Sequence, residues 1–130
     1  MLFNPQKTYV HLGASGDATK FPGGDAFWSL PEAQMAAAGS GWLISEYGFD
    51  ADWPTWEMHP NGDEFVYLIS GSADLLLEQP DGITTLQLRQ SAAVLVPRGL
   101  WHTAKIHSPS RMLHVTLGGG TQTRPAESAL

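Results

Sequence analysis

From residue 41 onward, apolar positions recur in short runs separated by turn-forming residues. The segment "GWLISEYGF" (41–49) reads as a strand. "EFVYLISG" (64–71) is rich in β-branched and aromatic residues and stops at a glycine; "SADLLLEQ" (72–79) follows at once. "PDG" (80–82) is a turn, and "ITTLQL", "AAVLVP", "HTAKIH" and "RMLHVTLG" continue the series, with "PRG" and "SPS" as breaks. Many short strands at this spacing predict an antiparallel sandwich or barrel. Before them, "GASGDATKFPGGD" reads as loop. "SLPEAQMAAAG" reads as a short helix capped by Ser29, with Pro31 and Glu32 in the first turn and Gly39 at the exit. The expected layout is one domain over 1–130: an N-terminal extension (1–40), a core (41–117) and a flexible polar tail (118–130).

The stretch "TWEMHPNGDEFVYLISG" breaks the apolar pattern with two carboxylates and an imidazole. They are either solvated turn residues or groups converging on a positive charge. Alternation puts Glu57 and His59 on one strand face and Met58 on the other. "PNGD" then turns the chain, and Glu64 opens the next strand on the face of Val66 and Leu68. An antiparallel hairpin here would bring Glu57, His59 and Glu64 to one end of the sheet. His102, after the tight turn "PRG", can face inward by the same logic. Four nitrogen and oxygen donors on two hairpins would form a cage for a divalent cation.

Composition narrows the chemistry. The 130 residues hold no cysteine, which removes disulfides, thiolate nucleophiles and thiolate metal sites. The net charge is -6, and the seven basic residues are scattered, so no nucleic-acid partner is expected. The opening "MLFNPQKTYVHLG" has no cationic segment followed by an apolar one, and the run "AAVLV" is too short to span a bilayer. A soluble cytoplasmic protein without membrane contact is expected.

"EMHPNGDEFVYLISG" resembles the first motif of the cupin superfamily, G-x5-H-x-H-x(3,4)-E-x6-G, at His59, Glu64 and Gly71. "SAAVLVPRGLWHTAKI" resembles the second, G-x5-P-x-G-x2-H-x3-N, at Pro97, Gly99 and His102. The resemblance covers roughly residues 41–117 and implies an all-β antiparallel jelly-roll (cupin) barrel, here with a short N-terminal helix. It also implies a metal held by His59, Glu64 and His102. Four positions depart from the pattern: Ala51 and Ser91 replace glycines, Glu57 replaces the first histidine, and Ile106 replaces the closing asparagine. Glu57 joins the ligand set by position and chemistry, since a carboxylate can replace an imidazole.

Two carboxylates with two neutral imidazoles and a divalent ion sum to zero charge, and favour Mn, Fe or Zn over copper. Without a cation, one carboxylate should hold a proton. Ile106, with Val66, Leu68 and Ala104, is expected to make the site's surroundings apolar and suited to a small apolar or aromatic ligand. His114 is either a pocket acid–base or a structural residue. Trp53, Trp56 and Trp101 either stack on a ligand or pack the barrel or a dimer interface. Arg98 either meets an anionic ligand or is solvated. Unpaired strand edges and the tryptophans make a homodimer the expected assembly.

Two functional readings follow, beside a purely structural barrel with a vacant site. The first is a mononuclear metal enzyme of dioxygenase, isomerase or decarboxylase type acting on a small organic molecule. The second is a non-catalytic metal-binding or small-molecule sensor protein. The fold does not choose between them.

Overall fold

The computed structural model describes residues 2–127. Its elements are β1 (Thr8–Leu12), β2 (Ala18–Pro22), α1 (Asp25–Trp28), α2 (Glu32–Ala38), β3 (Trp42–Phe49), β4 (Thr55–Met58), β5 (Glu64–Gln79), β6 (Gly82–Arg89), β7 (Ala93–Val96), β8 (His102–Thr116) and β9 (Gln122–Pro125). All strand pairs are antiparallel. One path runs β2-β1-β3-β8-β4-β9, and β5 branches from β8 to pair β6 and β7. The arrangement is of jelly-roll type, and the strands do not close into a continuous barrel.

Two long strands organise the fold. β5 and β8 pair from Phe65↔Val115 to Leu77↔His102, with irregular register between Leu68 and Ala73. The buried face of β5 is Glu64, Val66 and Leu68 before that irregularity, and Ala73, Leu75 and Leu77 after it. The change from even to odd positions is what a bulge does: an extra residue flips which side chains point inward. Gly71 sits at the bend with φ 97°, and a Cβ there would collide with the Pro109 carbonyl and with Ser110. The glycine expected to end a strand therefore bends one. The "SPS" segment likewise lies inside β8, because Ser108 pairs with Ser72 of β5 and Ser110 with Phe49 of β3.

The main core lies on the inner faces of β5, β7 and β8, with Leu68, Leu75 and Met112 fully buried. Each such side chain contributes about 2 kcal/mol by leaving water. A smaller core packs Tyr9, Phe27 and Ala38 against the inner side of β3, with the Tyr9 and Phe27 rings 5.2 Å apart.

Three further expectations change. The segment read as N-terminal loop contains β2, which pairs with β1 from Thr8↔Pro22 to Leu12↔Ala18. Ser29 does not cap α2: the N-cap is Pro31, and the Ser29 hydroxyl donates to the Asp25 carbonyl at the end of α1. Gly39 does end α2. Residues 122–125, within the stretch expected to be a flexible tail, form β9, paired along β4 from Thr55↔Pro125 to Met58↔Gln122. The last three residues of that stretch lie outside the described residues.

Candidate metal centre

β4 and β5 do not form the expected hairpin. β4 pairs β8 and β9 instead, and residues 59–63 carry the chain across to β5. The four expected donors still meet, by a different route. Glu57 is directly opposite His102 in the β4–β8 ladder, so both side chains leave the same face. His102 is paired on its other side with Leu77 and is completely buried. The Gly99 N–H donates to the His59 carbonyl at 2.9 Å, tying the turn before His102 to the loop that carries His59. Gly99 has φ 79°, a conformation that glycine adopts without strain. Glu64 is buried at the start of β5, whereas neighbouring Asp63 is exposed and accepts from the Arg98 N–H.

The imidazole protons can be placed from their partners. Thr121 donates its hydroxyl proton to the Gly118 carbonyl at 2.7 Å, so its oxygen must accept from His59 Nδ1, also at 2.7 Å. His102 Nδ1 faces the Leu100 carbonyl at 3.1 Å, which can only accept. Both rings therefore carry hydrogen on Nδ1, which leaves Nε2 as the nitrogen that takes either a metal ion or a second proton. This is the arrangement by which an outer hydrogen bond orients a metal-ligating histidine.

Those two Nε2 atoms lie against carboxylate oxygens. His102 Nε2 is 3.1 Å from Glu64 Oε1, His59 Nε2 is 3.4 Å from Glu64 Oε2, and His59 Nε2 is 3.9 Å from Glu57 Oε2. Yet His59 Nε2, His102 Nε2 and Glu64 Oε1 are buried with no aligned hydrogen-bond partner. Donor atoms sharing one ion at about 2.1 Å stand roughly 3.0–3.4 Å apart, depending on the angle between them. Close, misaligned and electron-rich atoms of this kind fit a cation placed among them. Glu57, His59 and His102 place one ligand atom each within 4.8 Å of one another. Glu64 adds Oε1, while its Oε2 accepts from the Thr116 hydroxyl at 2.5 Å.

The carboxylate and the imidazoles also act on each other's charge. Burial pushes Glu64 up, but hydrogen bonds from His102, His114 and His59 outweigh it and hold the carboxyl well below its usual range. Burial pushes His102 down, but the Glu64 carboxylate outweighs it and raises the imidazole. For Glu64 the expectation that a metal-free carboxylate holds a proton is not met: its histidine neighbours keep it ionised, and His102 is the imidazole raised in return.

A cavity of about 580 Å³ opens beside the donors. Glu57, His59, Glu64 and His114 reach its polar end, and His114 Nδ1 is 3.6 Å from Glu64 Oε2. Its walls are not those expected. Val66, Leu68, Ala104 and Ile106 belong to the main core and do not line it. The apolar wall comes from Phe27 and Trp28 of α1, Tyr47 and Phe49 of β3, and Trp53. Burial first, then contact with Tyr9, raises the Tyr47 phenol, which stays neutral and protonated. Among the described residues, no lysine or arginine lines the cavity. Trp56 and Trp101 lie elsewhere, flanking the Arg124 guanidinium at 5.4 and 4.5 Å.

Sequence reasoning did not find Thr121, Thr116 or the aromatic wall from α1. Thr121 is held by the loop 118–121, which is clamped by Asn61 Nδ2 donating to the Gly119 carbonyl and by the Gly119 N–H donating to the Gly39 carbonyl.

No protein-family model matches the chain, and no curated protein sequence matches it. Solved structures do match. A cupin-2 domain containing protein from Shewanella frigidimarina superposes with TM-score 0.51 at 12% identity, over 58% of this chain and 69% of that one. The chain has the cupin fold. A cupin superfamily protein from Desulfitobacterium hafniense gives TM-score 0.50 at 20% identity, over 58% of this chain and 65% of that one. Oxalate decarboxylase of Bacillus subtilis, studied for its Mn(II) centres, gives 0.53 at 18% identity, over 65% of this chain but only 23% of that one. At these identities the likeness is one of cupin architecture. No helix among the described residues is long and apolar enough to cross a membrane.

Proposed function

We propose that the chain is a mononuclear metal-dependent enzyme that holds Mn, Fe or Zn through Glu57, His59, Glu64 and His102 and acts on a small organic substrate in the adjoining cavity. The observation that carries this reading is the set of buried, misaligned donor atoms His59 Nε2, His102 Nε2 and Glu64 Oε1. The Mn(II) centres named for the oxalate decarboxylase of the same fold support it by analogy. A bound divalent ion would supply Lewis acidity, moderated here because two carboxylates cancel its formal charge.

The chain's own residues set the rest of the chemistry. Thr121 and the Leu100 carbonyl fix the two imidazoles in their ligating tautomer. Phe27, Trp28, Tyr47, Phe49 and Trp53 make one wall apolar, and a substrate packed against it would displace water from the polar groups beside it. His114 offers Nε2, buried and without a partner, as a place where a substrate proton could be held. Dioxygenation, isomerisation and decarboxylation are all open to such a centre.

The test has two parts. Elemental analysis of protein purified without chelator or nickel resin should give close to one metal per chain. A folded preparation lacking stoichiometric metal would sink the proposal. Oxygen or substrate consumption across a small-molecule panel should then disappear in His102→Ala while circular dichroism is retained. Metal bound tightly with no turnover of any compound would favour a non-catalytic binding protein instead.

A further inference from the structure

Thr121 is an exposed residue, so burial does not hold its hydroxyl against His59 Nδ1. Its position depends on the loop 118–121. That loop opens with three glycines, Gly118 to Gly120, a composition that in a free segment is highly flexible. Here the glycines are packed instead. A Cβ on Gly119 would stand 2.7 Å from the Gly39 carbonyl oxygen, and a Cβ on Gly39 would stand 3.1 Å from Gly119 Cα and N. A Cβ on Gly120, which has φ 77°, would stand 3.3 Å from the Pro60 ring and 3.4 Å from Asn61 Nδ2. The backbones approach too closely for side chains to stand between them.

Polar bonds fix that approach from two sides. The Gly119 N–H donates to the Gly39 carbonyl at 3.2 Å, and the Gly119 carbonyl accepts from Asn61 Nδ2 at 2.7 Å. Gly39 ends α2, and its own N–H donates to the Met35 carbonyl at 3.0 Å, so the grip on Gly119 is anchored in the helix. A continuous path of contacts thus runs from α2 through Gly39, Gly119 and Thr121 to the Nδ1 side of His59. On its other side His59 turns Nε2 toward Glu64 at 3.4 Å.

We infer that Gly39, Gly119 and Asn61 are positioning residues for the metal centre: they hold the loop 118–121 so that Thr121 keeps the Nδ1 hydrogen of His59 and Nε2 stays among the donors. This role rests on the metal reading of the same site. It makes α2, which carries no donor of its own, part of what sets metal affinity.

Competition with a fluorescent chelator for Mn or Zn, read on folded protein, tests it. Gly119→Ala forces the loop off the Gly39 carbonyl and should weaken metal binding about tenfold, as loss of an outer contact does. Gly39→Ala crowds the same contact from the other side and should act in the same direction. Asn61→Ala gives up one hydrogen bond and should weaken binding about fivefold. Asn61 is exposed, so this variant still decides if the glycine variants fail to fold. The Thr121→Val background separates positioning from general loosening. Once the acceptor is gone, adding Asn61→Ala or Gly119→Ala should weaken binding by less than about twofold more. Losses that add in full in that background would place the effect in the segment 59–63 or in the fold, and overturn the inference. Native affinity in Asn61→Ala and Gly119→Ala, with metal bound by the native chain, overturns it alone. A native chain that holds no metal overturns the metal reading and this role together.

Discussion

Glu57 and His102 are direct cross-strand partners in the β4–β8 ladder, although they stand far apart in sequence. Opposed residues share a face, so this register puts the carboxylate on the side of the sheet from which His102 projects. Glu57 is thereby placed where the family pattern has a histidine.

That placement makes Glu57 replaceable by its family counterpart. Glu57→His should retain stoichiometric metal, because the side chain leaves the same backbone position toward the same point. Glu57→Ala should lose more than about a hundredfold in affinity, beyond the 10–100-fold that outer contacts are worth. Competition with a fluorescent chelator measures both. Equal affinity in Glu57→Ala and the native chain would remove Glu57 from the ligand set.

Thr121 acts on the metal only through His59. Thr121→Val removes the acceptor of the Nδ1 hydrogen and should weaken metal binding roughly tenfold. Thr121→Ser keeps the hydroxyl and should restore affinity to within about twofold. The same chelator assay reads both, and a Ser variant as weak as the Val variant would assign the effect to packing instead.

The donors were legible in the sequence while the way they meet was not. Parity puts Glu57 with His59 and Glu64 with Val66, and the structure has Glu64 inward and Asp63 outward. Pairing partners are non-local, and the turn-forming "PNGD" gave a false hairpin: those residues cross between strands that pair elsewhere. Gly71 and "SPS" looked like strand ends because a bulge and a turn use the same residues. Thr121 was hidden for another reason. A glycine-rich polar segment has no apolar period, and β9 is held by Arg124 between two tryptophans and by β4, contacts that only the fold brings together.

Metal should stabilise the chain more at about pH 8 than at about pH 6. In the metal-free chain Glu64 is held below its ordinary value of 4.5, so its stabilising contribution is full above that value and lost as pH falls through the lowered one. His102 is raised above its ordinary 6.5, so its contribution is full below 6.5 and lost as pH rises through the raised value. Metal-free protein should therefore melt at a lower temperature at about pH 8 than at about pH 6. Metal competes with the proton on His102, so the increment in Tm on adding Mn or Zn should grow over the same interval. Scanning calorimetry with and without chelator checks this; an increment independent of pH would argue against an imidazole ligand.

Gly71 and Gly99 both have positive φ but differ in surroundings. At Gly99 a Cβ would meet nothing within 4 Å, so Gly99→Ala carries only the cost of the left-handed conformation, about 1 kcal/mol. At Gly71 the same strain is joined by collision with the Pro109 carbonyl and with Ser110, which is paired with Phe49 of β3. Gly71→Ala should therefore cost more than about 3 kcal/mol, enough to consume a large part of a small domain's stability. Urea denaturation of both variants distinguishes the two effects. A Gly71→Ala loss no greater than that of Gly99→Ala would mean that the bend relaxes, and that the inward switch from Leu68 to Ala73 does not depend on a glycine.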